Sequence, residues 1–252
     1  MDEHDAHAAQ GRPAEDAAAE PAASRWEDYV DVFLSPAELF RRRATDRVAP
    51  PLITLLALAL LFYFVLLPAN RLVMQASMAD NPDALAAMER FGMLFQVIGS
   101  VFVPITYAAM IAFAAALLWL CGRFADVRIE FSRAMLVATY GGFIYLLAQV
   151  AGSVAVMLHG EVGLDVVRHI SFGPLRFIGS ADTDPVVVAL LRRFDLFTLW
   201  QAAVWGIGVS VIYRVSRVRG LGVALGAWLL MTVPAVLMAL LGIGQTQSPG
   251  AG

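Results

Sequence analysis

The chain has 252 residues, of which 59% are hydrophobic and 15% are charged, and its formal net charge is −3. Soluble domains carry roughly 25% charged residues, so this composition excludes an ordinary water-soluble core. A single cysteine, Cys121, excludes an intramolecular disulfide.

The chain begins with an acidic, alanine-rich segment that has almost no apolar surface to bury. Segments of this composition cannot offset the entropy lost on folding, so we predict a disordered tail over 1–23. A second, short tail is predicted over 244–252.

Two short amphipathic cytoplasmic helices are predicted over 24–47. At the start of the first, Ser24 stands three residues before a glutamate, which is the spacing of a capping box. Trp26, Tyr29, Val30, Phe33 and Leu34 then fall at helical spacing on one apolar face. We expect this face to contact a partner protein or lipid.

The second of these helices begins with Ser35 and Pro36, because a proline in the first turn loses no helical hydrogen bond. A glutamate three residues after Ser35 completes a second capping box. The helix then carries Arg41, Arg42 and Arg43, which suit the anionic headgroup surface of a membrane. Alternatively, the helix only packs against the ends of the membrane spans, and the two interpretations are compatible.

Five windows without any charged residue predict a membrane domain over 48–243. The windows are 48–70, 91–122, 134–158, 196–213 and 220–252. A helix needs roughly 20 apolar residues to cross hydrocarbon, where it alone satisfies its own backbone polar groups. We therefore predict an all-α polytopic membrane protein with five transmembrane helices. Their predicted limits are about 50–68, 94–121, 134–158, 196–213 and 221–243.

Arginine placement predicts the topology, because short cytoplasmic loops carry the excess of basic residues. All 18 basic residues are arginine. They concentrate before the first span, between the second and third, and between the fourth and fifth. The other two loops, 71–90 and 159–195, spread their arginines over more residues and mix them with acids. We predict a cytoplasmic N-terminus and a C-terminus on the outside.

The long loop 159–195 contains His159, Glu161, Asp165 and His169. On a helix the last three would share one face, a spacing that allows either a metal ion or surface charge pairs. We predict no metal, since no cysteine and no tight His-Glu motif supports one.

The predicted spans contain no Asp, Glu, Lys, Arg or His. Ionisable residues inside a membrane mark proton relays and ion paths, so their absence from the spans argues against a pump or a proton-coupled carrier. The sequence also lacks the motifs of intramembrane hydrolysis and of phosphate-binding loops. We predict no catalytic activity and no cofactor.

Small residues recur in the spans at intervals that let helices pack closely. We favour packing within one bundle over a dimer face for each set. Gln96, Gln149 and Gln201 are candidates for hydrogen bonds between helices. The small-residue sets are Ala138-x-x-x-Gly142, Gly206-x-Gly208-x-Ser210 and Gly222-x-x-x-Gly226.

The fourth window carries the motifs FDLFTLW at 194–200 and WGIGVS at 205–210. Together they resemble the penultimate span of the Yip family, the Ypt/Rab-interacting membrane proteins and their bacterial relatives. The segment VFLSPAELF at 32–40 resembles the Ser-Pro segment before the first span of bacterial members, and FSRA at 131–134 is similar to their lead into the third. The resemblance covers about 29–243.

The resemblance implies a five-span fold with a cytoplasmic N-terminus in the bacterial inner (plasma) membrane. Eukaryotic members associate with prenylated Rab GTPases, but this chain lacks their Asp-Leu-Tyr-Gly-Pro type motif, so a Rab partner is not expected. We assign structural roles to the residues that match the family pattern. They are Ser35, Pro36, Asp195, Trp200, Gly206 and Gly208.

The predicted function is that of a non-enzymatic membrane protein that scaffolds or organises other membrane components. The alternative is a small facilitator or channel for an uncharged or lipid-like solute, since proline-interrupted helices and membrane-buried glutamines can line a path. The expected partners are membrane lipids, other membrane proteins or a second copy of the chain, and no nucleic acid. The predicted contact residues are Trp26, Tyr29, Phe33, Arg41, Arg42 and Arg43.

Overall fold

A computed structural model describes residues 25–78, 81–159, 171–178, 184–191 and 193–241. These residues form nine α-helices and one 3-10 turn, Pro174–Phe177, and include no strand. The helices are α1 (Arg25–Leu34), α2 (Pro36–Arg43), α3 (Ala49–Val65), α4 (Leu67–Ser77), α5 (Pro82–Phe124), α6 (Phe131–His159), α7 (Pro185–Leu191), α8 (Leu196–Ile212) and α9 (Arg217–Leu240). The predicted all-α class is confirmed for the described residues. Both predicted tails lie outside them.

Two helices contain stretches long and apolar enough to cross a membrane, Arg90–Phe124 in α5 and Phe131–Leu158 in α6. Helices α3 and α4 qualify only as a pair, with a bend of 63° between them. Pro68 follows the bend directly, and its missing N–H removes a hydrogen bond there. Helix α8 is apolar but has 17 residues. The described residues thus hold two candidate spans, or three with the bent pair. The count of five stays a prediction.

The helices pack into one bundle in which α8 lies against α6 and α9, and α5 lies against α3, α6 and α9. Apolar side chains fill its interior because each helix contributes a face of large residues. Fully buried examples are Leu55, Leu118, Leu136, Ile144, Val204 and Trp205.

Glycines set the closest helix contacts in the bundle. A Cβ built on Gly206 would lie 3.0 Å from the Cα of Leu221, so α8 and α9 approach through this glycine. A Cβ on Gly142 would lie 2.6 Å from Leu55 Cδ2. Gly226 faces Cys121 in the same way, whereas Gly222 has open space around it. Three of these four glycines therefore serve packing within the chain.

Candidate functional site

Helices α1 and α2 form a hairpin, the N-terminal hairpin, that packs against the bundle. Leu39 and Phe40 of α2 are fully buried. The Phe40 ring meets Tyr140 edge-on, with 5.7 Å between ring centroids. A Cβ on Gly208 would lie 2.9 Å from the Phe40 ring, so this glycine gives the ring its space beside α8.

Ser35 and Pro36 make the turn of the hairpin. Pro36 opens α2 as predicted, and Ser35 is its N-cap residue with φ −140°. The expected side-chain hydrogen bond of the capping box does not form. Instead the Ser35 carbonyl accepts the Glu38 N–H at 3.0 Å, and the Ser35 N–H donates to the Asp31 carbonyl at 2.8 Å. Backbone geometry, and not the serine hydroxyl, closes this turn. The other expected box begins at a residue outside the described ones.

Two of the predicted contact residues on α1 face the bundle. The Tyr29 hydroxyl donates to Thr54 Oγ1 at 2.9 Å, and its ring lies 5.2 Å from that of Phe143. The Phe33 ring meets the Trp200 ring at 5.8 Å. Packing within the chain therefore occupies both aromatic side chains.

The hairpin lies along the side of the bundle. Trp200, which Phe33 contacts, stands twelve residues before the end of α8, or about 18 Å along the helix axis. Phe40 contacts Tyr140 and lies at Gly208, which is much nearer to that end. Along α8, the turn of the hairpin is thus the part of the hairpin farthest from the arginine-rich loops. The start of α1 and the end of α2 lie nearest to these loops.

An ion-pair network holds the two helices of the hairpin together. The carboxylate of Asp28, which is 3% exposed, pairs with Arg42 at 3.1 Å and with Arg43 at 2.8 Å. Arg42 also pairs with Asp31, and Arg43 with Asp46 at 3.3 Å. The hydrogen bond to Asp31 is the largest cause that raises the pKa of Arg42. Burial acts to lower the pKa of Arg43, but Asp28 outweighs it and the net shift is upward.

The outward side of α1 is apolar. Trp26, Val30 and Leu34 are 66%, 43% and 76% exposed and follow one another at intervals of four residues. We call these three residues the apolar stripe. Val30 and Leu34 were not among the predicted contact residues, although the sequence placed them on the same apolar face as Tyr29 and Phe33. The structure divides that face: Tyr29 and Phe33 pack on the bundle, and the apolar stripe is exposed. Arg41 is exposed on α2.

Asp195 caps α8. Its Oδ1 accepts the N–H of Phe197 at 2.9 Å, which is the N-cap bond. Its Oδ2 accepts the N–H of Phe172 at 2.9 Å, and the Phe172 and Phe197 rings meet edge-on at 5.1 Å. One carboxylate thus joins the segment before the 3-10 turn to the start of α8, which gives this residue a structural role.

A cavity of about 70 Å³ lies inside the bundle between α5, α6, α8 and α9, and its mainly apolar lining includes several polar side chains. Arg193 reaches it from the turn before α8, and its Nε donates to Thr232 Oγ1 at 3.1 Å. Gln201 Nε2 donates to the Gly141 carbonyl at 3.0 Å, which is the predicted hydrogen bond between helices. The lining residues are Tyr107, Met110, Ile111, Ala114, Ala138, Gly142, Tyr145, Arg193, Thr198, Gln201, Trp205 and Met231.

No group of three or more metal-ligating side chains occurs within the described part of the chain. Residues 160–170, which carry Glu161, Asp165 and His169, lie outside it. Nothing can be assigned to a metal or cofactor from the described residues.

Apolar side chains also cover the outward faces of the long helices. Ile53 on α3, Phe102 on α5 and Leu229 on α9 are all exposed. Helices that are apolar on all sides, with two long enough to cross a bilayer, define an integral membrane protein.

The family model described as Yip1 domain matches residues 30–238, and the chain belongs to that family. This match confirms the family predicted from the sequence. It begins within α1 and ends near the end of α9, so it includes the second half of α1, all of α2, the capping aspartate and the glycines of α8. No curated protein and no solved structure matches the chain.

Proposed function

We propose that this protein is a non-enzymatic organiser of the membrane, which holds other membrane components through the apolar stripe of the N-terminal hairpin. The observation that carries the proposal is the exposure of Trp26, Val30 and Leu34 on a helix whose other side is already packed. The proposal includes a bacterial inner-membrane location, five spans and a cytoplasmic N-terminus.

The packed side of α1 limits what can bind another molecule. Tyr29 and Phe33 contact aromatic rings of α6 and α8, and Asp28 is held by two arginines. These side chains could bind a partner only after the hairpin left the bundle. The apolar stripe can bind a partner while the hairpin stays packed on the bundle.

The position of the stripe favours a partner inside the membrane. Because the turn of the hairpin lies beside Trp200, Leu34 lies well along α8 and faces sideways. Under the predicted topology, a point about 18 Å from the cytoplasmic end of α8 lies near the middle of a hydrocarbon core about 30 Å thick. An apolar stripe at that depth suits the acyl chains of lipids or the transmembrane helix of another protein. Exposed Arg41 suits the anionic headgroups above it.

Site-specific photo-crosslinking in native membranes tests the proposal. A photoreactive amino acid at position 26 or 34 should give adducts to other membrane components, while the same group at position 29 or 33 should give none, because those two side chains face the bundle. The double variant Trp26→Ser, Leu34→Ser should then lose the partners that co-purify with the wild type.

Met93→Ser is the matched control, since Met93 is an equally exposed apolar residue on α5. It should keep the wild-type partners. The proposal is wrong if the stripe variant co-purifies with the same proteins and lipids as the wild type and this control.

A facilitator is the second candidate, favoured by the cavity inside the bundle and the polar side chains that line part of it. Toward the end of the bundle where α2 packs, however, the interior is filled with large apolar residues. We call them the packed layer: Phe40, Leu118, Leu136, Val137 and Val209, each at most 1% exposed. A solute path would have to open this layer, so water accessibility across it separates the two functions.

A further inference from the structure

Arg193 is the centre of a site that neither the family nor the proposed function assigns. Its guanidinium enters the bundle and makes one hydrogen bond, from Nε to Thr232 Oγ1. Among the residues the structure describes, no carboxylate forms an ion pair with it. Burial lowers the pKa of Arg193 from its ordinary value. Arginine stays charged at neutral pH, so this half-buried charge favours an anionic partner.

Gln201 and Thr198 of the cavity already donate to backbone carbonyls, but three other side chains bring donors without an acceptor. Tyr107 and Tyr145 bring two hydroxyls whose rings lie 5.8 Å apart, and within the described ranges neither hydroxyl has a hydrogen-bond partner. Trp205 lines the same cavity and is 1% exposed, and its Nε1 has no acceptor there. Buried donors without acceptors are costly. A ligand that fits this cavity must accept hydrogen bonds.

The size of the cavity limits the ligand to a small group. Its volume of about 70 Å³ exceeds the roughly 30 Å³ share of one water molecule but leaves no room for a sugar or a nucleotide. Tyr145 and Thr198 also line a groove of about 420 Å³ between α4, α6 and the 3-10 turn. The walls of this groove are mainly apolar, with Val73 and Val156 among them. A small cavity that contains an arginine, next to a larger and mainly apolar groove, matches the phosphate and the adjoining chains of a phospholipid.

We propose that the cavity binds a phosphate group, carried by a phospholipid or free in solution, with Arg193 as its cationic ligand and Tyr107 and Tyr145 as further donors. The planar guanidinium presents two parallel N–H groups that match two phosphate oxygens. Phospholipid phosphates lie at the level where a membrane protein's buried arginine can reach them, and the groove gives the attached chains a place. The site does not depend on the organiser function.

Binding is measured on the full chain, purified in a neutral detergent and stripped of lipid. Three probes are compared: phosphatidylglycerol, inorganic phosphate against chloride at equal ionic strength, and diacylglycerol, which lacks phosphate. The readouts are the lipid retained in native mass spectrometry and the midpoint of thermal unfolding. We expect phosphatidylglycerol to be retained and to raise the midpoint. Stabilisation by inorganic phosphate as well would identify free phosphate as a second source.

Arg193→Gln should lower retention of the phosphate-bearing probe by about tenfold, because a charge-assisted hydrogen bond is lost. Arg176→Gln is the matched control: Arg176 is exposed in the 3-10 turn and should bind as the wild type. Tyr145→Phe removes only a hydroxyl and should weaken binding several-fold while the midpoint without ligand stays unchanged. If Arg193→Gln fails to fold, Tyr145→Phe is the variant that tests the site.

Two results would overturn the site. One is that phosphatidylglycerol and phosphate raise the unfolding midpoint of the wild type no more than diacylglycerol and chloride do. The other is that Arg193→Gln or, where that variant does not fold, Tyr145→Phe retains the probe as well as Arg176→Gln does.

Discussion

Gly208 determines how closely the N-terminal hairpin can approach α8. The Phe40 ring and Val137 both lie within 3.0 Å of the position that a Cβ on this glycine would occupy. Phe40 cannot move aside easily, because it is fully buried and also meets the Tyr140 ring. The family glycine at this position is therefore explained by one aromatic ring from another helix.

Gly208→Ala should destabilise the protein by about 1–3 kcal/mol, which is the usual range for overpacking a core. Gly222→Ala is the control, since nothing lies within 4 Å of that glycine. There the better helix propensity of alanine should stabilise by about 0.5–1 kcal/mol. Unfolding in detergent measures both. Adding Phe40→Leu to Gly208→Ala should restore part of the loss, and equal effects of the two alanines would contradict this account.

Some site residues were predictable from local sequence and others were not. Asp195 was, because an aspartate before an apolar helix caps it through bonds within two residues. The inward positions of Tyr29 and Phe33 were not, because they depend on rings of α6 and α8 far along the chain. Arg193 belonged to a loop by sequence, and only the packing of α9 shows that its side chain enters the bundle.

Among the secondary-structure elements, the N-terminal hairpin depends most on charge. Asp28 is buried between Arg42 and Arg43, which come from the other helix of the pair. Charged groups of this kind contribute most when both partners are present, and the loss of one leaves the other uncompensated. The arginines that the sequence predicted as contacts for headgroups thus have partners within the hairpin, while Arg41 is exposed.

Asp28→Asn should loosen the hairpin while the bundle remains folded. We expect a cost of about 1–2 kcal/mol, reduced from the fully buried case because both arginines are partly exposed and keep Asp31 and Asp46 as partners. Hydrogen exchange should rise in α1 and α2 and stay unchanged in α6. Glu38→Gln is the control, since this glutamate is exposed on the same hairpin. Equal exchange in both variants would show that Asp28 does not hold the hairpin.

The helices themselves followed from composition more readily than their arrangement did. Uncharged windows predicted apolar helices at α3, α5, α6, α8 and α9. An apolar segment in hydrocarbon satisfies its own backbone hydrogen bonds only as a helix. The bend between α3 and α4 falls at Pro68, whose missing N–H removes a helical hydrogen bond there. The course of the hairpin along α8 required the ring contacts, which no spacing within residues 24–47 could reveal.

For the whole molecule, the two proposed functions differ in whether water crosses the packed layer. The cavity that Arg193 enters lies on one side of this layer, and the arginine-rich loops lie on the other. An organiser can keep the layer closed, since its binding surface is on the outside of the hairpin. A facilitator must open the layer during each passage, and its side chains would then meet water.

Single cysteines in a Cys121→Ala background measure directly whether water reaches the packed layer. Val137→Cys and Val204→Cys replace fully buried residues and should stay unreactive toward a membrane-impermeant maleimide added to either side. Phe124→Cys and Val218→Cys are the positive controls, because both side chains are exposed beside arginine-rich loops. Under the predicted topology they react from the cytoplasmic side alone. Reaction at position 137 would show that water reaches the packed layer. This result would favour the facilitator, because a solute can pass only when the layer opens, whereas an organiser can keep it closed.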